Sequence, residues 1–376
     1  MVATVVRLRL RILGHILRRE RWRLVVLVAG VVWVVAMLPS ILGAQVWLSQ
    51  QSVDVAGDVL VIAGSLLVTG WAVVPMLLPT LDDSLEPARF ATFAVPVRRL
   101  TPALLVAAMV GVPTAFTALL VTSPALGWAA HGPAPALVAL AAAPVALVTC
   151  LLAARLSTGL FGLLLAAPRA REIGAALVLV GLALGVPTVR AISGLGLEGV
   201  LETVPTVARV LGWTPLGLVW AAPAAMADGD ALGALGRLVA GSGAALLGLV
   251  AWTALLKRSL VRPAPRGGRE RRRADVMLPG PARPGRAPDR TAVVTRAVAR
   301  RAWRYWTADP RYQSAMLAAV LAPVVMVLLV ATVVHAPAAV ALSMGPFMAA
   351  TIGWGRHNDV AMDGSAFWMH VGAAVP

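Results

Sequence analysis

Long apolar runs separated by polar stretches, every second one rich in arginine, dominate the chain from residue 24 onward. Eight runs stand out, at roughly 24–44, 59–80, 102–122, 135–154, 173–189, 232–256, 314–335 and 337–354; the fifth and eighth are the shortest. About 20 apolar residues carry a helix across the hydrocarbon layer. None of the runs alternates polar with apolar residues as a barrel strand does, and in lipid only a helix satisfies such a backbone internally. The pattern therefore predicts an all-α polytopic membrane protein with about eight transmembrane helices.

Residues 4–23, TVVRLRLRILGHILRRERWR, follow a different rule. Val5, Leu8, Ile12, Leu13, Ile16 and Leu17 recur at helical spacing with arginines between them, which predicts an amphipathic helix lying on the membrane surface. The apolar run after it is too long for the hydrophobic core of a signal peptide, so residues 1–44 are read as retained.

Composition narrows the class. Of 376 residues, 59% are hydrophobic and 13% charged, whereas a soluble globular chain is roughly a quarter charged. The one cysteine, Cys150, sits in an apolar run, so neither an intrachain disulfide nor a thiolate cluster is available.

Charge gives the orientation. With the N-terminus inside, 30 of the 33 Lys and Arg residues fall in the inside segments. Arg190 and Arg209 remain outside, and Arg237 lies near the outer end of the sixth run. Asp54, Asp58, Glu198, Glu202, Asp228 and Asp230 make the outside mildly acidic. This bias predicts a cytoplasmic N-terminus in a cell membrane. Ten of the 12 tryptophans, among them Trp128, Trp220 and Trp252, fall near span ends, as in an interfacial belt; Trp33 and Trp71 sit deep.

Three regions follow. Residues 1–256 form a first half of one amphipathic helix and six spans. Residues 257–290 carry 11 Lys and Arg, six prolines and four glycines, the composition of a cytoplasmic linker attracted to anionic lipid rather than to nucleic acid. Residues 291–376 restart the pattern: TRAVARRAWRYW (295–306), two spans, then a polar loop. Because six spans precede it, the second unit enters from the same side, so the expectation is a parallel internal repeat with an incomplete second half and a chain truncated at Pro376.

Chemistry is sparse. A P-loop needs G-x-x-x-x-G-K-[ST], but the only lysine, Lys257, is followed by Arg258, so ATP binding of that kind is excluded. His15, His131, His335, His357 and His370 share no metal-ligand spacing. The span interiors carry essentially no ionisable residue of the kind that ion-coupled carriers use. No catalytic residue, cofactor or metal is expected.

Three stretches resemble the permease subunits of type-2 ABC transporters, in their long two-halved actinobacterial form. The first is LDDSLEPARFATFAVPVRRL (81–100), the second GWTPLGLVWAAPAAMADGD (212–230), and the third HNDVAMDGSAFWMHV (357–371). The resemblance implies an exporter driven by a separate cytoplasmic P-loop ATPase, with room for a second permease chain and no nucleic-acid partner. It implies that Asp82, Asp83, Glu86, Pro87, Arg89, Phe90, Phe93, Pro96, Arg98 and Arg99 meet the ATPase. Asn358, Asp359, Asp363 and Phe367 would do the same in the second half. It also implies that 190–231 closes an outer gate, with short dipping helices broken at Pro205, Pro215 and Pro223. Two other functions remain open from the residues alone. One is a membrane-embedded transferase using Asp54, Asp58, Asp228 and Asp230. The other is a non-transporting anchor whose partner binds the basic linker.

Overall fold

In a computed structural model, the described residues are 1–19, 21–77, 90, 93, 95–165 and 196–261, with single positions at 299, 345, 346, 349, 350 and 353. Residues Met1–Met76, Thr80–Leu163 and Gly194–Val261 pack as one compact unit. A second comprises Leu77–Pro79, Leu164–Ser193 and Arg262–Pro376 and falls almost wholly outside the described residues. Every contact below belongs to the first.

The described elements are all helical. In order they are α1 (Val2–Arg19), α2 (Arg21–Ser49), α3 (Val53–Leu77), α4 (Val97–Ala108), α5 (Val112–Thr122) and α6 (Pro124–Trp128). A 3-10 turn (Ala129–His131) follows, then α7 (Pro133–Leu165), α8 (Gly196–Leu211), α9 (Ala222–Ala227) and α10 (Ala231–Val261). Five stretches are long and apolar enough to cross a membrane: Leu24–Ser49, Val53–Pro75, Val112–His131, Pro133–Phe161 and Ala231–Arg258. They correspond to the first four and the sixth of the eight expected runs. The runs at 173–189 and 314–335, the linker after Val261 and the post-repeat loop lie outside the described residues, and of the run at 337–354 only single positions are described.

The third span departs from expectation. A continuous helix over 102–122 is replaced by α4, an interruption at Met109–Gly111, and α5. Pro113 explains the interruption: it has no N–H to continue the ladder and its ring crowds the carbonyl four residues back, so it sits in the first turn of a new helix. The crossing segment then runs through α5, α6 and the 3-10 turn. Pro39, Pro75 and Pro144, in contrast, stay within continuous helices.

The amphipathic α1 packs on α4 rather than lying on lipid alone. Val5 is buried in its apolar face, and so is Arg9, only 5% exposed. Arg7, Arg11, His15 and Arg18 line the opposite, exposed face, whereas Arg9 falls among the apolar positions. Its Nε donates to the Val110 carbonyl at 3.1 Å, inside the interruption. The Thr114 hydroxyl donates to the Ala108 carbonyl at 3.0 Å. Two carbonyls that a broken helix would strand in an apolar setting are thus bonded.

Three apolar clusters are stacked along the unit. At one end Val5, Leu100, Leu104, Leu151, Leu152, Trp252 and Leu256 draw together α1, α4, α7 and α10. In the middle Val61, Val121, Ala143, Ala146, Val219 and Trp220 join α3, α5 and α7 to the segment before α9. At the far end Leu48, Leu60, Trp128 and Ala139 join α2, α3, α6 and α7. The successive helices traverse this stack in alternating directions. The α1 arginines, Arg98, Arg99, Lys257 and Arg258 gather at the first end; Asp54, Asp228 and Asp230 gather at the other.

Several tryptophans therefore differ from their expected place. Trp128 is 1% exposed, and Trp220 and Trp252 are also buried, so these three are core residues rather than belt residues. The two deep ones converge on a single turn of α5. Trp33 lies against Phe116 with ring centroids 4.9 Å apart. The Trp71 N–H donates to the Thr117 hydroxyl at 3.0 Å, and that hydroxyl donates to the Pro113 carbonyl at 2.9 Å.

Candidate functional site

The stretch expected to meet a partner leads from α3 into α4. Asp82, Asp83, Glu86, Pro87 and Arg89 lie outside the described residues, as do Asn358, Asp359, Asp363 and Phe367. Phe90, Phe93, Pro96, Arg98 and Arg99 are described, and they divide into an anchor and a presented face.

Phe90 is the anchor. It is half-buried and packs on the end cluster shared by α1, α4, α7 and α10, together with Val95 and Val97. Phe93 is 70% exposed, its ring tilted 56° to that of Phe90 at a centroid distance of 6.5 Å. Pro96 caps α4 with extended dihedrals (φ −58°, ψ 126°), and its carbonyl accepts from the N–H groups of Arg99 (2.9 Å) and Leu100 (3.1 Å). Arg98 and Arg99 are exposed in the first turn, while Leu100 and Thr101 behind them are buried.

This arrangement has an electrostatic consequence. A helix N-terminus carries partial positive charge and favours acidic side chains, yet the first turn of α4 has none. It holds two arginines instead, so dipole and guanidinium charges add. An anionic group would relieve that concentration, and the exposed Phe93 lies in the same stretch. Physical support runs inward from the same residues. Phe90 and α4 rest on a cluster reaching α1, α7 and α10.

The opposite end holds the acidic residues of the transferase alternative. Asp54 opens α3 and Asp58 lies one turn on. Helices α3 and α9 approach so closely at Gly57 that an added Cβ would stand 2.9 Å from that of Ala224. The connection between α2 and α3 is only Gln50–Ser52. Asp230 serves the fold: its Oδ1 accepts the Gly233 N–H at 2.8 Å and caps α10. Gly229 supplies the turn before it with φ +85°, a left-handed conformation that favours glycine. Among the described residues, no three His, Cys, Asp or Glu side chains stand where they would hold a metal ion.

The segment between α8 and α10 dips inward. Helix α8 passes through Pro205 without the expected break, and of its residues Ala208 is buried while Val207 and Val210 are exposed. Gly217 to Pro223 then form a buried run. Trp220 packs so tightly on Gly64 that an added Cβ there would overlap its ring. Gly64 is 11 residues into α3, roughly 16 Å along the helix axis. Arg237, placed by sequence near the outer face, folds back onto this segment. Its Nη1 donates to the Ala221 carbonyl at 2.9 Å, and its guanidinium carbon lies 5.3 Å from the centre of the Trp213 ring.

The resemblance singled out Phe90, Phe93 and the arginine pair as contact residues. It missed Arg9, whose signal was available: one arginine falls within the apolar arc of α1 when the helix is wound at 3.6 residues per turn. No protein-family profile, no curated protein and no solved structure matches the chain.

Proposed function

We propose that the chain is the membrane-spanning subunit of an ATP-driven exporter, powered by a separate cytoplasmic P-loop ATPase docked at the arginine-rich end. In this reading it resides in the cell membrane with its N-terminus in the cytoplasm. Residues 291–376 begin a second half with further spans, as a parallel repeat of the first. A second permease chain completes the pathway.

The observation that carries the reading is the division of labour between Phe90 and Phe93. A loop that merely connects two spans has no need of one aromatic anchored in a four-helix cluster and a second presented to solvent beside two arginines. The sequence adds that the residues given hold no P-loop, which supports a drive from a separate ATPase.

The test is co-purification from a native membrane. A P-loop ATPase is expected to accompany the wild-type chain and to be lost from the Arg98→Glu/Arg99→Glu variant. Reconstituted chain that moves solute uphill without any ATPase overturns the reading.

A further inference from the structure

Helix α1 presents its charge in a line. Arg7, Arg11 and Arg18 stand at i, i+4 and i+11, so they fall within about 40° of one another around the helix and along about 16 Å of its length. All three are exposed. Leu8 and Leu10, also exposed, lie about 80° to either side of that line. The helix carries no acidic residue that would neutralise it.

The opposite face is occupied. Val5, Val6 and Ile12 pack with Leu100 and Leu104 of α4, and the buried Arg9 is tied to the Val110 carbonyl. An amphipathic helix ordinarily holds to a bilayer by sinking its apolar face into the acyl boundary. Here α4 packs against that face, so what α1 offers to lipid is the guanidinium row and its two flanking leucines. Attraction to a membrane then rests on charge. Position along the chain agrees. Arg18 comes only a few residues before Leu24, where the first stretch able to cross a membrane begins, and headgroup phosphates lie at that edge of the hydrocarbon. A guanidinium holds a phosphate through paired N–H donors. Exposed leucines on both flanks suit the boundary between headgroups and acyl chains better than a wholly aqueous protein contact.

We propose that the exposed face of α1 binds anionic phospholipid, its three arginines taking headgroup phosphates while α4 holds the helix from behind. The face selects lipid by charge rather than by insertion. A basic residue at an acidic membrane surface is favoured about fivefold, and salt weakens that preference. The proposal does not rest on the ATPase reading, because the chain alone in a bilayer tests it.

The experiment places the full chain in phosphatidylcholine nanodiscs that contain a small fraction of photoreactive phosphatidylglycerol or photoreactive phosphatidylcholine, with identical diazirine-bearing acyl chains. At low salt the acidic probe is expected to label residues 1–19 at least about tenfold more than the zwitterionic one. Raising the salt to about 0.5 M should remove most of that excess. Arg7→Gln/Arg11→Gln/Arg18→Gln should abolish it, the matching triple lysine variant should keep most of it, and Arg98→Gln/Arg99→Gln should leave it in place. Inorganic phosphate should compete no better than chloride of equal ionic strength; stronger competition would mark a site for the free anion and overturn the proposal. Equal labelling by the two probes, an excess unmoved by the triple glutamine variant, or an excess that follows Arg98 and Arg99 overturns it too. Equal labelling together with loss of a co-purifying ATPase from the triple glutamine variant would give the face to a protein partner instead. Melting temperatures in neutral detergent, expected to be equal for wild type and the triple glutamine variant, separate loss of lipid contact from loss of fold. If that variant melts early, the wild-type probe ratio and the lysine variant still decide.

Discussion

Arg9 and Val110 are joined across 101 residues by one hydrogen bond, from the guanidinium Nε of the first helix to a carbonyl in the interruption of the third span. The bond ties the amphipathic first helix to a place where, among the described residues, a span lacks its own ladder. Removing the donor leaves an acceptor stranded in an apolar setting. Arg9→Met is therefore expected to cost about 1–3 kcal/mol. Thermal unfolding in detergent measures the loss, and faster amide exchange at Thr114–Phe116 locates it. Arg11→Met, on the exposed face of α1, is expected to change neither.

Gly64 and Trp220 form a second long-range pair, governed by shape rather than charge. A side chain at Gly64 has nowhere to go while Trp220 holds its position. Gly64→Val is expected to destabilise by about 1–3 kcal/mol through overpacking. In combination with Trp220→Ala the penalty should shrink, because the obstructing ring is gone. A double-mutant cycle on melting temperatures reads that coupling, and strict additivity would show that the two do not meet.

Arg237 staples the inward-dipping segment to α10 through the Ala221 carbonyl and the Trp213 face. Arg237→Gln loses the cation–π contact and shortens the reach to the carbonyl. The expected cost is about 1–3 kcal/mol, most of it from the charge-assisted hydrogen bond. Limited proteolysis between Gly212 and Asp230 should accelerate first, ahead of global unfolding.

Phe90 and Phe93 give opposite expectations from one chemical change. Phe90→Ala removes a ring from the four-helix cluster and is expected to lower stability by about 2–3 kcal/mol, less than a fully buried phenylalanine would because it is half-exposed. Phe93→Ala should leave thermal unfolding unchanged while weakening retention of the ATPase at least tenfold. If Phe93→Ala keeps full retention, the presented face is not the contact.

Much of the helical architecture was legible in the residues because lipid imposes a coarse requirement: runs of about 20 apolar residues must cross as helices. Five of those runs are spans by length and composition among the described residues. What pattern alone did not reveal depends on which residues meet. Pro113 was one of several span prolines, and only its position one turn after α4 distinguishes an interruption from the tolerated Pro39 and Pro144. Trp128, Trp220 and Trp252 share the end-of-span positions of belt residues, and their burial follows from helices that arrive from elsewhere in the chain. In the stretch leading into α4, the resemblance singled out Phe90, Phe93, Arg98 and Arg99 among others. That Phe90 is packed while Phe93 stays exposed emerged only once α1, α7 and α10 were seen to converge beneath them.

Helix α2 differs from its neighbours in that, among the described residues, none in its most apolar 18-residue window is buried. Its preference for hydrocarbon over water is consequently complete before any later helix has been synthesised. During biogenesis this segment can leave the ribosome, enter the bilayer and stay there unaided, with Gln45 later finding Ser123 near its far end at 3.2 Å. The remaining spans then assemble beside a helix already in place, and exchanging its mid-section for another apolar sequence of equal length should leave insertion intact.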